Sequence, residues 1–205
     1  MEEKDSSNIL FNEAERLKME GSHNEAIKIC EKVLNSDLDC TEAYEEIGDN
    51  YLSLREFDKA KKALEKALKT DSKSPNANYL LGFLYSAIGD FKLSVKYLEL
   101  ADSFEPNHPE IIRCLGWSLY HDGQRQRGLV LLERALNLAP NDSLILSDLG
   151  VCYLNSKNFE RSARLFKKIL EIEPDNEKAK ECLNAVKFFQ HEYKKLKENK
   201  MKKFN

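Results

Sequence analysis

The chain has 205 residues, 33% of them charged, with eight glycines, five prolines and a formal net charge of −3. That balance leans helical and well hydrated, and it excludes a generally basic nucleic-acid binder. No stretch approaches the roughly 18 apolar residues of a membrane-spanning helix, and the acidic opening MEEKDSSNIL lacks the apolar run of a secretory signal.

Charge is unevenly placed. Residues 1–50 carry 14 acids against 5 bases, whereas residues 190–205 carry 6 lysines against 2 glutamates. The five cysteines (Cys30, Cys40, Cys114, Cys152 and Cys182) are odd in number and scattered, with no C-x-x-C. Reduced thiols and a cytoplasmic location are the expectation.

A period organises the chain. Gly48, Gly82, Gly116 and Gly150 each follow an aliphatic residue and are spaced by 34 residues without insertion. With this glycine as position 8, repeats cover 7–40, 41–74, 75–108, 109–142 and 143–176, after a tail at 1–6. Position 20 is small throughout: Ala26, Ala60, Ser94, Gly128 and Ser162. Position 24 is apolar: Cys30, Leu64, Leu98, Leu132 and Phe166. Gly21, Gly89 and Gly123 stand at position 15, where one helix must stop. Pro75 and Pro109 open repeats, and Pro106, Pro140 and Pro174 stand near their ends; proline is tolerated in a first helical turn and not inside a helix. Each repeat therefore reads as helix A near positions 1–14 and helix B near positions 16–30. Residues 177–193 continue as a capping helix, with Asn184 where the packing glycine stood. Residues 194–205 form a Lys-rich tail expected to fray.

The period, the L-G-x-x-Y spacing, the small position 20 and the closing proline resemble the tetratricopeptide repeat (TPR) family over residues 7–176. The resemblance implies an all-α, right-handed superhelix of antiparallel hairpins, an α-solenoid, with 11 helices in total. Departures sit at Glu13-Ala14 in repeat 1, Arg55 at the repeat-2 turn, and Leu119 and Arg125 in repeat 4.

Helical phase separates two faces of helix A. Positions 4, 7, 8 and 11 form the hairpin core stripe, and positions 2, 5, 9 and 12 lie on another face. In TPR arrays that second face lines a concave groove, so the resemblance implies a peptide-binding surface there. Its candidates are Glu45, Asp49, Tyr79, Phe83, Arg113, Trp117, Tyr120 and His121: acidic in repeat 2, aromatic across repeats 3 and 4. Aromatics of this kind are favoured interface anchors. Burial of the same rings between neighbouring A helices is the competing expectation. The expected partner is a protein segment with apolar and basic residues.

Other chemistry finds little support. Positions 5 and 9 (Phe11/Glu15, Glu45/Asp49, Tyr79/Phe83, Arg113/Trp117, Ser147/Val151) lack the Lys/Asn set with which some TPR proteins clamp chaperone-tail carboxylates. No catalytic, metal or nucleotide motif occurs, so no catalytic residue, metal or cofactor is expected. NDS at 141–143 reads as a helix N-cap. The lysines from Lys194 to Lys203 read as a solvated helix end rather than a nucleic-acid or membrane contact. The functional expectation is a non-catalytic scaffold or adaptor. The alternative is a structural subunit that self-associates or packs permanently in a larger complex.

Overall fold

A computed structural model describes residues 2–204, with side chains described for 7–198. Among the described residues there are eleven helices and no strand. They pair as α1 (Glu2–Met19) with α2 (His23–Ser36), α3 (Thr41–Ser53) with α4 (Phe57–Thr70), and α5 (Pro75–Ala87) with α6 (Phe91–Phe104). The series continues with α7 (Pro109–His121) and α8 (Arg125–Leu138), then α9 (Ser143–Asn155) and α10 (Phe159–Ile172). A single long helix, α11 (Glu177–Phe204), ends it.

The chain divides into two compact bodies, Met1–Pro106 with α1–α6 and Asn107–Asn205 with α7–α11. In each, hairpins stack side by side, with helix A of one repeat against helix B of the repeat before it and, for α5, α9 and α11, against the preceding helix A as well. α1 starts within the segment expected as a tail, and α11 runs through the expected boundary at residue 193 without a break. The side chains of the tail and of residues 199–205 lie outside the described residues.

The repeat positions do what their chemistry requires. Position 15 adopts positive φ in all five repeats: Gly21 (77°), Arg55 (58°), Gly89 (83°), Gly123 (91°) and Lys157 (59°). This left-handed residue ends helix A and sends the chain back. Arg55 and Lys157 pay the steric cost of that turn because the hairpin on either side dictates it. Helix B then starts on a cap in some repeats: the Asp90 and Asn158 side chains accept from the Leu93 and Arg161 amides. Asp142 caps α9 by accepting from the Leu144 and Ile145 amides, as the NDS stretch suggests.

The small residues let the two helices of a hairpin touch. Position 8 faces position 24: a β-carbon on Gly48 or Gly82 would meet Leu64 or Leu98, and one on Gly150 would meet Phe166. Position 20 sits beside the same strip, where the hydroxyls of Ser94 and Ser162 donate to the carbonyls of Gly82 and Gly150 at 2.7 and 2.8 Å. Leu64, Leu81, Leu98, Leu132, Leu149 and Phe166 are buried at these contacts. Each such side chain contributes about 1.5–3 kcal/mol through removal from water.

Candidate functional site

In the N-terminal body, α1, α3 and α5 line a groove of about 680 Å³. Its apolar wall is Leu52, Tyr79, Leu80 and Phe83, and its polar rim includes Lys18, Glu46, Asp49 and Asn76. Phe83 occupies position 9 of helix A, turned away from the hairpin core, and is 39% exposed. Tyr79, one turn earlier, is half-buried against the core formed by Leu80, Leu81 and Leu84, with its ring centre 6.5 Å from that of Phe83. The two rings make one continuous apolar strip, since residues four apart are neighbours on a helix.

The acids of this body behave differently from the expectation. Glu45 is buried, and its carboxylate accepts from the Ser74 hydroxyl at 2.5 Å and the Asn76 amide at 2.9 Å. Ser74 also caps α5, so Glu45 ties α3 to the start of α5 and is not presented to a ligand. Asp49 does reach the groove, but it shares the Lys18 ammonium with Glu46, at 3.1 and 2.7 Å. Burial works against the Lys18 charge, and the two carboxylates outweigh it, holding its pKa above the ordinary lysine value. The groove is thus close to neutral, with Arg55 as a further cation on its lining. Glu46 and Lys18 are residues for which charge counting alone offered no signal, because pairing across α1 and α3 is a tertiary event.

In the C-terminal body, Tyr120 is a correction to the sequence reading. It is 4% exposed, and its hydroxyl donates to the Cys152 carbonyl at 3.0 Å and hydrogen-bonds the Ser156 hydroxyl at 3.0 Å. Both partners belong to α9 or its end, so this ring joins neighbouring A helices. Arg113 is a second correction. Its side chain is 11% exposed and bridges Glu110 on its own helix to Asp148 on α9. One guanidinium nitrogen lies 2.8 Å from Glu110. Neither side chain is free to meet a ligand.

Trp117 is half-buried and packs on the core of Tyr120, Leu132, Leu149, Cys152 and Tyr153. His121 is exposed and lies over it, with ring centres 4.2 Å apart. Its ring is thus part of this body's packing as well as of its surface. Of the eight expected residues, the structure brings Asp49, Tyr79 and Phe83 together on one groove. It commits Glu45, Arg113 and Tyr120 to helix–helix bonding.

No group of three or more His, Cys, Asp or Glu side chains is arranged to hold a metal ion among the described residues. The thiols are quiet: burial pushes Cys30, Cys114 and Cys152 up to about 12. No described helix is long and apolar enough to cross a membrane.

Helical hairpins of fixed length, each closed by a left-handed residue at position 15 and packed through a glycine at position 8 in four of five repeats (Ala14 in the first), define a helical-repeat protein. The chain belongs to the tetratricopeptide repeat family, whose model matches residues 51–113 and 119–186, more than half of its length. Among solved structures it is similar to YrrB, described as a TPR protein with an unusual peptide-binding site. That match is 25% identical, covers 87% of this chain and 90% of the other, and has a TM-score of 0.64. It is also similar to TTC0263 of Thermus thermophilus (16% identity, 89% and 99% covered, TM-score 0.77). MamA of Desulfovibrio magneticus RS-1 is a further likeness (22% identity, 84% and 97% covered, TM-score 0.68). The last two show the fold alone. Among curated proteins no sequence match was found.

Proposed function

We propose that this protein is a non-catalytic interaction scaffold whose N-terminal body holds a segment of a partner protein in the α1–α3–α5 groove. The observation that carries this reading is the Tyr79–Phe83 strip. Two large rings lie side by side, one half-buried against the core and the other 39% exposed, above a groove of about 680 Å³. Exposed apolar strips rimmed by polar groups mark interaction sites, and aromatic anchors dominate their energetics. The similarity to YrrB, whose description names a peptide-binding site, supports the same direction.

The ligand is an extended or helical segment with apolar anchors for Phe83 and Tyr79. Asn76 offers its remaining amide capacity at one end, and Asp49 offers a carboxylate already shared with Lys18. Basic residues in the ligand therefore contribute orientation more than affinity. The protein acts where TPR scaffolds act, by joining proteins, and its expected setting is the cytoplasm.

The test is a capture comparison between the wild-type chain and Phe83→Ala. Phe83 is exposed, so the variant keeps its fold. Partners bound by wild type and lost by the variant identify both ligand and site. Identical capture by the two proteins sinks the reading. Light scattering on the same samples separates partner binding from self-association: a stable dimer that Phe83→Ala converts to monomer favours a structural subunit instead.

A further inference from the structure

The C-terminal body carries a second groove, of about 340 Å³, between the end of α9, the turn after it and the second half of α11. Its apolar lining is Leu154, Phe159, Phe189, Tyr193 and Leu196. The repeat signature does not call for it. Helix α11 has 28 residues where each A helix from α3 to α9 has 13. Its first turns behave as a helix A, with Ala179, Leu183 and Val186 packed on Phe166, Ile169 and Leu146. Beyond Val186 the helix continues with an apolar series at Phe189, Tyr193 and Leu196, spaced by four and three residues. This spacing puts the three on one face. Tyr193 rests against Phe159, with ring centres 5.7 Å apart. Phe189 and Leu196 are 51% and 60% exposed. A helix that only seals the end of a repeat stack needs a polar outer face, and these side chains are the opposite.

The groove is rimmed by cations. The ammonium groups of Lys157 and Lys197 stand 5.3 and 5.0 Å from the Tyr193 ring centre. Glu192 is the carboxylate of the lining, and Lys195 pairs with it at 3.4 Å. Along the same stretch of helix the sequence adds Lys187 and Lys194. Concavity favours a polypeptide occupant, because protruding side chains enter a groove and a flat bilayer surface does not. Charge selects its sign.

We propose that this groove docks an acidic amphipathic segment of a partner protein. The partner's apolar residues lie between Phe159, Phe189 and Leu196, and its carboxylates meet Lys157 and Lys197. The site is separate from the Tyr79–Phe83 groove and takes a ligand of its own.

The test uses the full chain and two labelled helical peptides. One has leucine on a single face and glutamate elsewhere; the other has lysine for every glutamate. Fluorescence anisotropy is expected to show binding of the glutamate peptide that weakens with salt. Phe189→Ala with Leu196→Ala weakens it roughly tenfold or more. Lys157→Glu with Lys197→Glu abolishes the preference for the acidic peptide, and Phe83→Ala leaves binding unchanged. Far-ultraviolet circular dichroism checks the fold; should the apolar pair disturb it, the exposed charge pair decides. Absence of binding, equal binding of both peptides, or a loss that follows Phe83→Ala overturns the proposal. So does Phe189-dependent binding to phosphatidylserine vesicles, or a self-association that Phe189→Ala abolishes.

Discussion

On α7, the ring centres of Trp117 and His121 lie 4.2 Å apart with the planes tilted by 49°, one helical turn apart in sequence. His121 also meets the edge of Tyr120 at 5.5 Å. Partial burial against its ring neighbours disfavours the imidazolium, and the Arg125 cation adds to this, so the His121 pKa lies below its ordinary value. Trp117 is the chain's one tryptophan, which makes its fluorescence a reporter of this pair.

Imidazolium quenches indole emission more strongly than imidazole does. Fluorescence is therefore expected to fall on acidification with a midpoint below about 6.5, the free-histidine value. The sign for stability follows from the same shift. Between the folded and unfolded pKa values the unfolded chain binds more protons, so stability is full above the unfolded value and declines as pH falls through that window. His121→Gln removes the quenching step and its share of the decline. A midpoint above the free-histidine value contradicts the burial argument.

Trp117 and Phe83 both stand at position 9 of their repeats, yet their removal is expected to differ. Trp117→Ala costs about 2–3 kcal/mol, less than a fully buried ring because part of it meets solvent. Phe83→Ala costs well under about 1 kcal/mol, since its ring is exposed. Urea unfolding of the two variants side by side measures this, and equal costs contradict it.

Glycines at equivalent-looking contacts also separate. A β-carbon on Gly128 would lie 2.5 Å from the Gly116 carbonyl oxygen and 2.6 Å from the Tyr120 nitrogen, both backbone. A β-carbon on Gly48 would instead meet only side-chain atoms of the buried Leu64, so the adjustment falls on a side chain and not on backbone. Gly128→Ala is expected to destabilise by about 2–3 kcal/mol and Gly48→Ala by distinctly less. Thermal unfolding ranks them, and the reverse order defeats the argument.

Thiol reactivity follows burial. Cys30, Cys114 and Cys152 are buried and Cys40 and Cys182 are partly accessible. Burial also raises the latter two thiols, and with them the thiolate fraction falls. Slow labelling of Cys40 and Cys182 is expected in the native protein, with the other three reacting only on unfolding. Peptide mapping after alkylation checks it; native labelling of Cys114 is the contrary result.

Much of the fold is legible in the sequence. Gly48, Gly82, Gly116 and Gly150 recur at a fixed interval because two helices can approach closely only where a side chain is missing. Gly21, Gly89 and Gly123 mark turns whose backbone needs positive φ. Such constraints act on single residues, so each leaves a mark at its own position, and the register extends to Arg55 and Lys157, which adopt the same turn without glycine. Helical phase likewise separates the core stripe from a second face.

What phase does not determine is which residues of that second face remain free. Some residues at positions 5 and 12 are taken up by the next A helix or its cap: Glu45 bonds to Ser74 and Asn76, Arg113 to Asp148, and Tyr120 to Cys152 and Ser156, whereas Tyr79 and Leu52 at the same positions line the groove. Position 9 stays more open, which leaves Asp49 and Phe83 on the groove. The charge near repeat 2 is likewise offset in part by Lys18, 31 residues from Asp49. The groove on α11 escaped the repeat reading because Phe159 and Tyr193 belong to different helices. The sequence by itself determined the period, the hairpins and the turns, since these rest on local steric demands. The tertiary structure alone decided which polar and aromatic side chains are spent on neighbouring helices, because that depends on how closely separate hairpins approach.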